Sequence, residues 1–142
     1  MSYLISLINY CPVKSLSFQN INSCEIRKDL GITNDRIFAF SRIINFEKAQ
    51  SVEKNPNERN LNNFLTLKNS PILNKYNFNY KDNKLTLTLD GKELMSISPD
   101  EIEQRSLLTN KLVDLEKSLK KPILLLKNKE FPFYDTSHSD KV

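Results

Sequence analysis

The sequence has 142 residues, which is enough for one domain or a domain plus a fragment. Hydrophobic residues make up 39% and charged residues 27%, which is the composition of a folded domain and not of a disordered chain. Basic residues exceed acidic ones by 21 to 17 and are spread along the chain, which argues against a nucleic-acid module. With two glycines and one histidine, a glycine-rich phosphate loop and a site with several histidine ligands are excluded.

The cysteines and the apolar runs indicate the compartment. Cys11 and Cys24 lack C-x-x-C spacing and are too few for a disulfide framework. We therefore expect a reducing compartment and, since the N-terminus does not resemble a targeting signal, a cytoplasmic protein. The apolar run at residues 123–126 is much shorter than a membrane span, so we expect no membrane insertion.

The first half of the chain predicts short strands separated by turns. Residues 3–9 form the first predicted strand, which Pro12 ends because proline has no backbone N–H to donate. Residues 21–27 alternate weakly and residues 36–41 are rich in aromatic and β-branched side chains, so both are predicted strands. The polar residues 47–63 predict a long excursion with room for one short helical turn.

The second half predicts hairpins. Predicted strands lie at residues 64–67, 72–80, 85–89 and 93–98. The alternation of leucine with threonine in residues 85–89 is typical of a half-buried strand. The Asp-Asn pair at residues 82–83 predicts a hairpin loop, and Asp90-Gly91 predicts a type I′ turn.

A helix and a last strand complete the predicted elements. Ser98 as the cap and Pro99 in the first helical position predict a helix start, and leucines at helical spacing continue to Leu119. Pro122 is expected to end this helix before a strand at residues 123–126.

These elements predict a mainly β fold. Short strands and hairpins without a β-α-β rhythm favour a small β-barrel with one α-helix in the C-terminal half. We assign residues 1–98 to the barrel and residues 99–142 to the helix, the strand and a tail. The tail, residues 131–142, is typical of a connector, so we expect a truncated chain that leads into a missing second domain.

Two loops carry side chains that suit an anion. Lys14 and Ser15 follow a proline-fixed turn and offer an ammonium, a hydroxyl and backbone N–H groups to a phosphate oxygen. Arg36, after Asp35, offers a planar fork of donors. On spacing alone, a solvated Lys14 and a local Asp35–Arg36 contact is the simpler interpretation.

The two loops also resemble a known family. The run Tyr10-Cys11-Pro12-Val13-Lys14-Ser15, followed by Gly31-x-x-x-Asp35-Arg36, resembles the N-terminal β-barrel domain of MOSC-domain proteins, which include the mitochondrial amidoxime-reducing component. The family pattern is Y-P-V-K-S, then G-L-x-x-D-R-x-W/F. Further matches follow in order at Phe64-Leu65-Thr66, Lys68, Pro71, Leu73, the Leu85–Leu89 hairpin, Lys121-Pro122-Ile123-Leu124-Leu125, Phe133 and Asp135.

The resemblance implies a molybdenum-cofactor protein. It places Lys14, Ser15 and Arg36 on the phosphate and pterin of a Mo-molybdopterin cofactor. It places the metal-ligating cysteine in a C-terminal MOSC domain beyond Val142, so that only the full-length protein holds the cofactor well. It further implies reduction of N-hydroxylated compounds with electrons from a separate redox partner, and this chain alone is expected to be inactive.

The sequence departs from the family pattern at several positions. Asn34 stands where many members have glycine, so the turn must accept asparagine in a left-handed conformation. Lys68 replaces an arginine, which reduces a bidentate contact to a point charge. Cys11 and Cys24 do not match the metal-ligating position, and we expect Cys11 to be a buried or inert thiol.

We assign no catalytic residue and no metal ligand in this chain. Asp135, His138 and Ser139 have the chemistry of a catalytic triad. They are neighbours within one tail, however, whereas a triad needs a rigid site assembled in space.

Two other functions remain open. A nucleic-acid module would use Tyr76, Phe78 and Tyr80 as stacking platforms beside Lys75 and Lys81. The spacing of two between these aromatic residues predicts instead that they fill the core. The chain could also be a non-enzymatic interaction domain whose helix seals a partner domain.

Overall fold

The computed structural model describes residues 8–21, 23–28, 31–43, 45–119 and 123–134. The strands, in chain order, are β1 (Ile8–Tyr10), β2 (Gln19–Ile21), β3 (Ile26–Arg27), β4 (Gly31–Ile32), β5 (Phe38–Ser41), β6 (Tyr76–Lys81), β7 (Lys84–Leu89), β8 (Lys92–Ile97) and β9 (Leu124–Lys127). The helices are α1 (Phe46–Lys54) and α2 (Ile102–Leu115), with 3₁₀ turns at Pro56–Glu58, Leu61–Asn63 and Pro71–Lys75.

The strands form small antiparallel sheets. β1 pairs with β2, β3 with β4 and β5 with β9, while β6, β7 and β8 form a three-stranded meander. In the part of the chain that is described, no sheet closes on itself. The expected mainly β barrel with one helix is therefore not confirmed, because the fold is mixed, with two helices and open antiparallel sheets.

The meander follows the sequence pattern closely. Asp90 and Gly91 have φ values of 51° and 78°, as a type I′ turn requires, so this predicted turn is confirmed. The Asp-Asn pair at residues 82–83 likewise connects two strands. Leu85 and Leu87 are fully buried, which confirms the predicted face of β7.

Helix α1 corrects the expectation of an irregular excursion. The side chain of Asn45 accepts a hydrogen bond of 3.0 Å from the Lys48 backbone N–H and so caps the helix. Ala49 and Val52 are its buried residues. So few apolar positions in a polar segment give a weak periodic signal, which is why the sequence predicted only one helical turn.

Helix α2 starts and ends elsewhere than predicted. Its N-cap is Glu101, not Ser98, and the Ser98 hydroxyl instead accepts a hydrogen bond of 2.8 Å from the Lys84 ammonium. The helix ends at Leu115, and Leu119 is buried in the turn that follows. The predicted stop, Pro122, lies outside the described residues.

Several predicted strands are shorter than expected. The strand predicted at residues 21–27 is not continuous, because Ile21 belongs to β2, which pairs with β1, whereas Ile26 and Arg27 form β3, which pairs with β4. Residues 64–67 contribute only a bridge between Phe64 and Ser41, and the segment before Tyr76 is a 3₁₀ turn. Of the first predicted strand, residues 3–7 lie outside the described part of the chain, as do Asp135, His138 and Ser139.

The described elements pack around two hydrophobic clusters, the smaller of which joins Ala49 and Val52 of α1 to Phe64, Leu126 and Phe133. The larger cluster holds Phe38, Phe40 and Phe78 together with Leu108 of α2 and Leu125 of β9, so it includes residues from both sides of the expected boundary at residues 98 and 99.

Among the described residues, no helix has the length and apolarity that a bilayer span needs.

Candidate functional site

The two predicted loops lie against each other. They are joined by hydrogen bonds from Arg36 N to Cys11 O (2.6 Å), from Phe38 N to Pro12 O (3.0 Å), from Lys14 N to Phe38 O (2.8 Å) and from Cys11 N to the Asp35 carboxylate (2.9 Å). A short parallel bridge between Val13 and Phe38 continues this contact. The residues that the sequence singled out in separate loops therefore share one connected piece of backbone.

This backbone has unusual conformations at two of the predicted site residues. Ser15 has a φ of 57° and Arg36 a φ of 53°, both in the left-handed region that disfavours residues with a side chain. Asn34 has a φ of 70°, as predicted from its place in the turn. Left-handed conformations at residues other than glycine are found often at ligand-binding sites, where surrounding contacts enforce them.

Lys14 is buried and not solvated, so the simpler interpretation of this residue was wrong. Its side chain is 1% exposed, and its ammonium donates hydrogen bonds of 3.2 Å to the carbonyl oxygens of Phe133 and Tyr134. The ammonium also lies 5.8 Å from the centre of the Phe64 ring. A buried ammonium is stable only when such partners replace its water.

Arg36 and Ser15 are more accessible than Lys14. The Arg36 guanidinium donates to the Asp35 carboxylate at 2.8 Å, which is the expected local contact, and its side chain remains 31% exposed. It also lies 5.8 Å from the centre of the Tyr134 ring. Ser15 is partly buried, and its hydroxyl has no hydrogen-bond partner within the described residues.

The C-terminal strap, residues 131–134, lies against both loops. The backbone N–H of Phe133 donates to the carbonyl of Arg36 at 2.7 Å. The Phe133 ring is 1% exposed and meets the Phe64 ring edge-on, with centroids 5.5 Å apart. A Cβ atom at Gly31 would lie 3.6 Å from the Tyr134 hydroxyl, so the strap also approaches β4 closely.

Arg59 is the residue of this region that sequence reasoning missed. Its guanidinium donates to the carbonyls of Val52 (3.0 Å), Glu53 (2.8 Å), Phe131 (2.7 Å) and Pro132 (3.1 Å). It also lies 4.0 Å from the centre of the Phe133 ring. Burial lowers the pKa of Arg59 to about 10, although Glu53 acts in the opposite direction. An arginine within a polar, asparagine-rich segment gave no sequence signal for this role.

The donor set suits the anionic part of the implied cofactor and not its metal. Among the described residues, no group of histidine, cysteine and carboxylate side chains could hold a metal ion. The thiol of Cys11 is buried, as expected, and donates to the carbonyl of Val13 at 2.6 Å, while Cys24 is exposed. Arg36 and Ser15 offer donors to a phosphate, whereas the ammonium of Lys14 already donates to the strap.

The aromatic residues proposed for nucleic-acid stacking are core residues. Tyr76, Phe78 and Tyr80 lie on the buried face of β6, as their spacing predicted. Their ring faces are therefore not available to bases, and this basis for a nucleic-acid interface is lost.

Comparison with protein-family models, with curated proteins and with solved structures found no match for this sequence. The MOSC resemblance therefore rests on the motifs quoted above and on no independent similarity.

Proposed function

We propose that this chain binds the anionic end of a molybdenum cofactor, as the N-terminal part of a MOSC-type oxidoreductase. The observation that carries the proposal is the hydrogen bonding of residues 11–14 to residues 35–38. It brings together the two motifs on which the resemblance depends, although they are separated in sequence by strands β2 to β4.

The chemistry of the joined loops supports an anionic ligand. The Arg36 guanidinium keeps part of its surface exposed after its contact with Asp35, and the Ser15 hydroxyl is a second donor. Both residues have a left-handed backbone conformation, which costs conformational free energy, and a role in ligand binding would explain why this cost is retained. Charge-assisted hydrogen bonds from such groups to a phosphate are about twice as strong as neutral ones.

The cofactor would supply the redox chemistry, which the resemblance describes as reduction of N-hydroxylated compounds. This chain's own contribution is to bind and orient the phosphate end through Arg36 and Ser15. A second domain would provide the metal ligand, and a separate protein would provide electrons. The cytoplasmic location stays a prediction, which the finding on membrane-spanning helices does not decide.

The test is cofactor content after expression, with the downstream reading frame appended, in a host that makes the cofactor. Pterin is measured by fluorescence after oxidation, and molybdenum by mass spectrometry. When the cofactor is limiting, loss of the guanidinium in Arg36→Ala is expected to lower cofactor occupancy about tenfold. Ser15→Ala is expected to lower it by less. Arg42→Ala is the control, because this exposed arginine makes no side-chain hydrogen bond within the described residues. Equal occupancy in the Arg36 and Arg42 variants would refute the site.

A further inference from the structure

Four consecutive carbonyl oxygens of the C-terminal strap each accept a hydrogen bond from a buried or partly buried cation. Arg59 donates to the carbonyls of residues 131 and 132, and Lys14 donates to those of residues 133 and 134. The backbone N–H of Phe133 donates to the carbonyl of Arg36. The strap is therefore attached to both predicted anion-binding loops and to Arg59.

This attachment has a consequence for Lys14. An ammonium has three donors, and at least two of those of Lys14 point to strap carbonyls in an environment that is 1% exposed. Because this side chain is almost completely buried and bonded to the strap, an anion can reach the ammonium only if the strap moves away. For the two bonds to the strap, the exchange replaces carbonyl acceptors by charged oxygens, which form stronger hydrogen bonds with a cation.

We propose that the strap gates anion binding at the joined loops, with Lys14 alternating between the strap carbonyls and an anion. Arg59 is the positioning residue that holds the strap closed, because it bonds the strap to the end of α1 and stacks on Phe133. This inference rests on the proposed function, since it concerns the same anion site. In the free protein the strap is closed over Lys14, and binding of an anion displaces residues 131–134.

The first test uses inorganic pyrophosphate as the probe, in calorimetric titrations at constant ionic strength. Arg59→Gln removes the bonds that close the strap, so the open fraction rises and pyrophosphate is expected to bind about tenfold more tightly. Loss of a positive charge alone would weaken binding, so the sign separates gating from electrostatics. Arg42→Gln removes the same charge at an exposed position and is expected to bind no more tightly than the wild type.

The second test uses only the wild-type protein, so it remains valid if the Arg59 variant does not fold. Hydrogen exchange of the Phe133 amide, which is bonded to the Arg36 carbonyl, is measured by NMR with and without saturating pyrophosphate. Gating predicts faster exchange when pyrophosphate is bound. Equal or slower exchange overturns the gate.

The outcomes separate the gate from the site itself. If pyrophosphate binds but neither speeds hydrogen exchange of the Phe133 amide nor binds more tightly to Arg59→Gln, the gate is overturned and the anion site remains supported. Absence of pyrophosphate binding in both the wild type and Arg59→Gln overturns the anion site and the gate together.

Discussion

Replacement of Phe133 by alanine is expected to destabilise the protein by about 4 kcal/mol. The side chain is 1% exposed, so truncation removes the transfer free energy of a fully buried ring, about 2–3 kcal/mol. It also removes the edge-on contact with Phe64, worth about 1 kcal/mol. Loss of the stacking of Arg59 at 4.0 Å adds a contribution of about 1 kcal/mol.

The assay is urea unfolding followed by circular dichroism, with the free energy of unfolding extrapolated to water. Phe18→Ala is the matched control, because this ring is 69% exposed and the same truncation is expected to cost within about 0.5 kcal/mol. A cost below about 1 kcal/mol for Phe133→Ala, equal to that of the control, would refute the conclusion that the strap belongs to the core.

Two further predictions concern acid stability and backbone conformation. The hydrogen bond from Lys75, and then that from Tyr76, lowers the pKa of Glu116, so this carboxylate stabilises the fold above pH 4.5 and its contribution is lost as the pH falls. Glu116→Gln cannot ionise, so its urea midpoint should fall less than that of the wild type between pH 7 and pH 3, and parallel curves would contradict this. Because the backbone φ of residue 34 is 70°, Asn34→Val should lower the free energy of unfolding by about 2 kcal/mol. Asn34→Gly should leave it within about 0.5 kcal/mol of the wild-type value. Equal urea midpoints for the two variants would argue against the left-handed turn.

Local patterns in the sequence predicted the meander well. The alternation in β7 and the Asp90-Gly91 turn are properties of neighbouring residues, and both are confirmed. The pairing of residues such as Phe38 and Lys127 is not visible in any window of the sequence, although both strands were predicted individually. The barrel was inferred from short strands, hairpins and the lack of a β-α-β rhythm, and these features do not determine whether a sheet closes.

The ends of the helices show why local rules failed elsewhere. Ser98 has the chemistry of a helix cap, but the Lys84 ammonium is its partner instead. Helix α1 was predicted only as one turn because its stability depends on tertiary contacts. In two of these, the Arg105 guanidinium and the Lys127 backbone N–H donate hydrogen bonds to the Glu53 carboxylate.

The same limit applies to the candidate site. The family resemblance selected Lys14, Ser15 and Arg36, and their role as cofactor contacts stays a prediction, although their two loops are hydrogen-bonded to each other. The burial of Lys14 under the strap depends on residues far along the chain, and Arg59 has no motif of its own. Both were therefore beyond what spacing and residue type can predict.

The pairing of β5 with β9 has a consequence for synthesis on the ribosome. All residues of β5 are buried in the folded protein, yet their partner strand, residues 124–127, is made long after residues 38–41. At about 5–20 residues per second, the interval between the two strands is on the order of ten seconds. During that time Phe38 and Phe40 have no β9 to cover them, so the yield of native protein should depend on how well chaperones shield this nascent strand.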